Sequence, residues 1–372
     1  MKLSDLNTES TCIQSATNLC PVDLPVTPVV SRETLVPLDD SFSSSSSNSA
    51  PNSQTLQNQA SQLLNLGYEQ YQSTQYEAAI DCFKQAYAAY LNLSDTQGQS
   101  KALGYLGLTF YSLKHYSKAI EYCQTALVFA NQAQDQRGAV KILSTMGNAY
   151  RHLKDSDRAI EYQLQSLTLA REVSDRQSEM AALNNLGLAY KAIGHCEQAI
   201  FYEEHSLAIA QELQDQHVEE QILKNLGNAC YSLGNYVKAI AYYEQRLALA
   251  RDLRDYRLEI QILRNLSNAY YALGDYARSI NCGEQRLKLA RTLQDPRSEE
   301  QSLGCIAVAY DSMGEYAKAI EYYQQRLIAA HRLQDWRIEE QVLGSLKVAY
   351  YALGDYLKAT EYANQRQNLV QN

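Results

Sequence analysis

The sequence predicts an all-α protein built as an α-solenoid of eight helical hairpins. Three observations predict it. A forty-residue period runs without a slip from about Gln54 to the C-terminus, and apolar residues recur at helical spacing inside each period. A hydrogen-bond acceptor also returns at one fixed offset: Thr55, Asp95, Asp135, Asp175, Asp215, Asp255, Asp295 and Asp335. Such side chains accept from the free amides that open a helix, so each member of the column is expected to mark a helix start. An in-register repeat overrides the length-based expectation of two or three globules, and the 372 residues read as one elongated domain preceded by a tail.

The tail comes first. Residues 1–53 hold five of the six prolines and a serine run from Ser43 to Ser47, with few aromatics. That composition buries too little apolar surface to offset ordering entropy, so a disordered segment is expected there. It opens with MKLSDLNTES, where acidic Asp5 and Glu9 stand in place of the charged start and apolar stretch of a secretory signal. Cys20 lacks the hydrophobic run that precedes a lipidated cysteine, and no stretch of eighteen apolar residues occurs anywhere. A soluble, cytoplasmic protein with no membrane insertion is expected.

The repeats follow, over residues 54–372. In Gln216–Asp255, apolar residues fall at Ile222, Leu223, Leu226, Ala229, Cys230 and Leu233, then at Tyr236, Ala239, Ile240, Tyr243, Leu247 and Ala250. Both runs have helical spacing. Between them Gly234 offers the left-handed position that ends the first helix, and Asn235 can cap the second. Gly194, Gly274, Gly314 and Gly354 repeat the device. The last unit breaks its own columns with Thr360 and Gln367, as an end cap facing solvent requires.

These residues resemble the tetratricopeptide repeat, whose signature is a leucine-glycine pair, a tyrosine, and then an alanine in the second helix. The pair stands at Leu66-Gly67, Leu106-Gly107, Met146-Gly147, Leu186-Gly187 and Leu226-Gly227. The second-helix contact stands at Ala79-Ile80, Ala119-Ile120, Ala159-Ile160, Ala199-Ile200, Ala239-Ile240 and Ala319-Ile320. The forty-residue length and the text NLGNACYSLGNYVKAIAYYEQRLALARDL look like the longer-helix subtype of the LGN-type G-protein-signalling adaptors. The resemblance implies a right-handed superhelix with the first helix of each unit on the concave side. Two departures leave local packing open: Ser267, Ala307 and Lys347 replace the packing glycine, and Arg246, Arg286, Arg326 and Arg366 replace a small second-helix residue. That arginine series, with Glu244 and Glu284 nearby, reads as a solvated stripe.

Columns that pack repeat on repeat should keep their residue type, whereas columns that meet a partner can vary. The first-helix columns do vary. Repeats one and two present Tyr68, Tyr71, Tyr105, Leu108 and Tyr111, and repeats seven and eight present Val308, Val348 and Tyr351. Between them stand Asn148, Arg151, Asn184, Asn185, Lys191, Lys224, Asn225, Asn228, Arg264, Asn265 and Asn268. Carboxamides can hold an extended peptide backbone, and the cations select acidic side chains or a carboxylate. The alternative for Asn185, Asn225 and Asn265 is bonding to neighbouring helices, and for Lys224 and Arg264 a solvated charge beside Glu219 and Glu220.

The known grip of some tetratricopeptide domains on a chaperone C-terminal carboxylate is matched only in its first part, at Lys224, Asn228 and Asn265. Gln301 and Cys305 stand where the completing charges would be. Most of the 29 tyrosines lie in structural columns, such as Tyr116, Tyr236, Tyr276, Tyr316 and Tyr356, or Tyr122, Tyr162, Tyr202, Tyr242 and Tyr322, and read as packing residues.

No phosphate loop, nucleophile elbow or HExxH appears, so no enzyme activity and no cofactor is expected. The eight cysteines lack framework or CxxC spacing, and the neighbours His195 and Cys196 have no further ligand, so neither disulfide nor metal is expected. A formal charge of −9, with −4 in the tail and −5 over the repeats, disfavours nucleic acid. Three classes stand in order: an adaptor, taken as a monomer, that holds an extended acidic segment of a protein partner; a peptide-responsive regulator that sequesters a signalling protein; and a nucleic-acid-binding helical array. Asp23, Glu33, Asp39 and Asp40 would let the tail occupy the groove at times, although a solvated linker is the simpler role.

Overall fold

The computed structural model describes residues 53–371; the expected tail lies outside the described residues except for Ser53, which opens the first helix. Sixteen helices run in order: α1 Ser53–Gln72, α2 Tyr76–Asn92, α3 Thr96–Ser112, α4 Tyr116–Gln132, α5 Gln136–His152, α6 Ser156–Glu172, α7 Arg176–Ala192 and α8 Cys196–Glu212. They continue as α9 Gln216–Ser232, α10 Tyr236–Asp252, α11 Tyr256–Leu273, α12 Tyr276–Thr292, α13 Pro296–Ser312, α14 Tyr316–Leu333, α15 Trp336–Leu353 and α16 Tyr356–Gln371. Odd and even helices pair as the first and second arms of eight hairpins, and among the described residues there is no strand.

The aspartate column works as its chemistry suggests. Asp95, Asp135, Asp175, Asp215, Asp255, Asp295 and Asp335 each accept a hydrogen bond from a backbone amide two or three residues on. Thr55 does not belong with them, because it lies inside α1 and not before it. A second, less regular set opens the even helices through Asp155, Asn235, Asp275 and Asp355.

Hairpin turns four to eight place Gly194, Gly234, Gly274, Gly314 and Gly354 in the left-handed region. The first three turns put Thr74, Lys114 and Lys154 there instead, at φ near +60°. Every connection between hairpins does the same with Ser94, Gln134, Ser174, Gln214, Arg254, Gln294 or Gln334.

Within a hairpin the helices meet on small residues. Ala79, Ala119, Ala159, Ala199, Ala239 and Ala319 are fully buried. A Cβ at Gly227 would come 2.4 Å from the Tyr243 ring, and one at Gly187 would come 2.5 Å from Glu203 Cγ. The sixth hairpin solves the same problem differently. Ser267 replaces the glycine and Ser279 the alanine, their hydroxyls lie 3.0 Å apart, and Ser279 donates to the Ser267 carbonyl at 2.8 Å. Gly283 stands opposite, where the neighbouring hairpins carry Tyr243 and Tyr323.

Hairpins are tied in series by Arg171–Glu179, Arg251–Glu259 and Arg291–Glu299, which bridge the end of one even helix to the start of the next odd helix. Direct packing between equivalent helices of successive hairpins joins odd helices: α1 with α3, α3 with α5, α5 with α7, and α11 with α13. Tyr71–Ser112 and Tyr271–Ser312 hydroxyl bonds of 2.9 Å cross between such neighbours. The odd helices therefore pack directly on one another along hairpins one to four and again between hairpins six and seven.

Candidate functional site: a basic hollow in the first-helix wall

Of the four second-helix arginines only Arg366 is exposed, so they do not form a solvated stripe. Arg246 and Arg286 are each 3% exposed, and Arg326 is largely buried. The partners are also not Glu244 and Glu284. Arg246 Nε donates to Glu220 at 2.7 Å, Arg326 Nε to Glu300 at 2.7 Å, and Arg366 Nε to Glu340 at 2.9 Å. Each pair spans twenty-six residues and crosses from the second arm of a hairpin to its first. A pairing glutamate holds a charge that burial alone would expel. The amphipathic reading failed because a long cationic side chain can lie between two helices when the facing column supplies the counter-charge.

In hairpins three and four the same twenty-six-residue contact is made by smaller groups. Ser166 donates to the Val140 carbonyl at 3.0 Å, and Ser206 to the Met180 carbonyl at 2.9 Å. The column thus changes from small to arginine at hairpin five, together with its partner.

Hairpin six breaks the pattern, because Ile260 occupies the glutamate position. Arg286 keeps one bond, Nη2 to Gln301 Oε1 at 2.8 Å, while its Nε and Nη1 have no partner among the described residues. Burial, with the adjacent Arg264 charge adding to it, holds this guanidinium below its ordinary pKa.

Arg286 lines a hollow of about 530 Å³ between hairpins six and seven. Arg264, Asn268 and Tyr271 come from α11; Gln301, Cys305 and Val308 from α13; Arg326 and Gln341 complete the far side. The Cys305 thiol is raised by burial, with the nearby arginines opposing. Arg326 is neutralised by Glu300, whereas neither Arg264 nor Arg286 makes an ion pair among the described residues, and Asp295 and Glu300 favour the Arg286 charge only from a distance.

The hollow brings together Arg264, Asn268 and Val308 of the residues expected at a groove, with Tyr271 beside them. It does not reach Asn184, Asn185, Lys191, Lys224, Asn225, Asn228 or Asn265, which lie on α7, α9 and α11. Some carboxamides are engaged locally. Asn148 accepts from Gln163 at 3.4 Å, Asn228 from the Tyr243 hydroxyl at 2.7 Å, and Asn185 donates to Ser144 at 3.4 Å. Asn184 Oδ1 and Arg151 Nε are buried without a partner among the described residues. Lys224 is exposed, but Glu219 and Glu220 are bonded elsewhere, to Gln211 and Arg246.

At the other end, Tyr68 and Tyr105 pack at 5.4 Å and Tyr105 stacks on Phe83 at 5.2 Å. Tyr105 and Leu108 line a second hollow of about 330 Å³ with Lys101, Lys141 and Ile142. Tyr111 bonds to the His152 ring at 3.1 Å. Val348 and Tyr351 are exposed on α15. Among the described residues no helix is long and apolar enough to cross a membrane, and no group of three histidine, cysteine or carboxylate side chains could hold a metal.

Glu203 on α8 is another feature that the spacing argument missed. It is fully buried, neither carboxyl oxygen has a partner among the described residues, and desolvation, with Lys191 opposing, raises its pKa to about 7.

Tetratricopeptide repeat models match residues 64–136, 139–212, 219–292 and 302–335. No curated protein matches the chain. Among solved structures, it is similar to a signal-transduction ATPase with a tetratricopeptide repeat sensor from Pyrococcus horikoshii, at 16% identity and a TM-score of 0.55, covering 85% of this chain and 47% of that one. The chain thus spans about half the length of that protein. It is also similar to the apo form of RapI, at 13% identity and a TM-score of 0.51, covering 82% and 99% of the two chains. A third likeness is to aspartyl phosphate phosphatase F from Bacillus subtilis, at 17% identity and a TM-score of 0.50, covering 86% and 72%.

Proposed function

Because the chain belongs to the tetratricopeptide repeat family, we propose that it is a non-catalytic adaptor that holds an extended, acidic, partly apolar segment of a protein partner along its first-helix wall. The observation that carries this reading is the hollow shared by Arg264, Asn268, Tyr271 and Val308, which is basic in a protein of net charge −9. Cations there select carboxylates, while Asn268 offers both donor and acceptor to a peptide backbone. Lys191, Lys224 and Asn225 would extend the same wall toward hairpin four, and the tyrosines Tyr68, Tyr71, Tyr105 and Tyr111 would take apolar side chains at its far end.

Affinity capture with the full chain, set against a Lys224→Glu/Arg264→Glu double variant, tests the reading. The wild-type chain should retain a protein with an acidic extended segment, and the double variant should not. Equal retention of that protein by both would place its binding surface elsewhere.

A further inference from the structure

Three of the last four hairpins neutralise their inter-helix arginine with a glutamate twenty-six residues earlier; hairpin six offers Ile260 to Arg286. The guanidinium is nonetheless buried, at 3% exposure, and it lines the hollow between hairpins six and seven. A buried cation of this kind has lost its water and gained one neutral acceptor, the Gln301 carboxamide. Its second-helix equivalents show what the site lacks, which is a carboxylate.

We propose that Arg286 is the receptor for a single aspartate or glutamate side chain of the bound partner, which supplies in trans the charge that Glu220, Glu300 and Glu340 supply in cis. The proposal rests on the reading of this wall as a peptide-binding surface. Nε and Nη1 are shielded, and the bond from Nη2 runs to Gln301, so the incoming carboxylate displaces that neutral side chain. With Gln301 displaced, both hydrogens of Nη2 become available, and a carboxylate oxygen accepts from them in a charge-assisted bond. Arg264 at the same hollow adds attraction to an anion as it enters. A hollow of about 530 Å³ has room for a side chain and the backbone beside it.

The test uses the full chain and three probes: octaglutamate blocked at both ends, octaglutamine with a free C-terminal carboxylate, and inorganic phosphate as a competitor. Ile260→Glu supplies the missing partner at a position where three other hairpins already carry glutamate. Arg286→Met removes the charge without adding one, so it keeps the test decisive should Ile260→Glu fail to fold. Fluorescence anisotropy should give an octaglutamate affinity that falls about 10- to 100-fold in both variants, the range expected for loss of charge-assisted bonds.

Several results would overturn the assignment. If octaglutamate binds equally to wild type, Ile260→Glu and Arg286→Met but weakens with Lys224→Glu, Arg286 is not the receptor, while the groove reading stands. If octaglutamate fails to bind the wild-type chain, the assignment falls with no variant needed, and the capture experiment still decides the groove reading separately. Binding only by free-ended octaglutamine would replace the side-chain assignment with a chain-end one. Displacement by millimolar phosphate that both variants abolish would make the site a general anion site.

Discussion

Hairpins one to four and hairpins five to eight share one backbone plan but stabilise the interior of the hairpin by different chemistry. In the first half the column that crosses between arms is Ala86, Ala126, Ser166 and Ser206, all fully buried, and the serines bond to backbone carbonyls. In the second half it is Arg246, Arg286, Arg326 and Arg366, and three of the four meet a glutamate. The turns change one hairpin earlier, with Thr74, Lys114 and Lys154 in the left-handed position of hairpins one to three and glycine there from hairpin four onward. The lesson is that a solenoid constrains spacing more tightly than chemistry: any filler works at a site if its partner column changes with it. Where the partner did not change, at Ile260, the difference becomes a place to look for function.

The largest test of that difference is to remove one half of a matched pair. Glu220→Ala leaves Arg246 charged, 3% exposed and without its carboxylate. Breaking a buried pair in this way costs about 3 kcal/mol. Urea unfolding followed by circular dichroism should show a clearly lowered midpoint. A change below about 1 kcal/mol would mean that the pair is only a surface contact.

The second test concerns the boundary between the halves, where Glu203 is fully buried without a bonding partner among the described residues. Its folded-state pKa is raised to about 7, above the ordinary carboxyl value, so the native chain holds a proton that the unfolded chain has released. The site therefore costs nothing below about pH 4 and becomes a growing penalty as pH rises to about 7, above which it is constant. Glu203→Gln should stabilise by about 2–3 kcal/mol at pH 8 and by much less at pH 5. An equal gain at both pH values would assign the effect to packing and not to charge.

The third is the reverse of the first. Arg286→Met replaces a buried, poorly satisfied cation by an apolar side chain of similar length, which should stabilise the fold by about 1–2 kcal/mol. A stabilising substitution that also removes acidic-peptide binding would separate the sixth hairpin from the fifth and seventh, where the same change strands a glutamate. Parallel urea titrations of Arg246→Met and Arg286→Met should move the midpoint in opposite directions. Movement in the same direction would make the missing glutamate irrelevant.

Much of this was legible in the residues themselves. The period, the seven capping aspartates and the glycine turns each follow from a local rule about one residue and its own backbone, and the helices begin and end accordingly. Features that depend on two columns at once were harder to read. The arginine stripe was misplaced because Arg246 and Glu220 are twenty-six residues apart, and no single-helix pattern joins them. Thr55 follows the cap spacing yet lies within α1. The groove residues are intermediate. Arg264, Asn268 and Val308 share a hollow, whereas Asn148 and Asn228 turn to their own hairpins because Gln163 and Tyr243 stand within reach there.

The smallest effect expected is in the turns, and it isolates the backbone. A Cβ at Gly234 would meet nothing within 4 Å, so only conformation distinguishes glycine from other residues there. Lys154 occupies the equivalent place at φ 63°, where an L side chain crowds its own carbonyl. Lys154→Gly removes that crowding but loosens the unfolded chain, leaving a net gain of about 0.5 kcal/mol. Gly234→Lys should lose about the same amount. Hydrogen exchange at the amides of α5 and α9, next to the two turns, would resolve such changes, since local opening reports small differences in one hairpin. If both substitutions are silent, the turns of hairpins one to three differ from the later ones by sequence alone, and the division at hairpin five rests entirely on the arginine column.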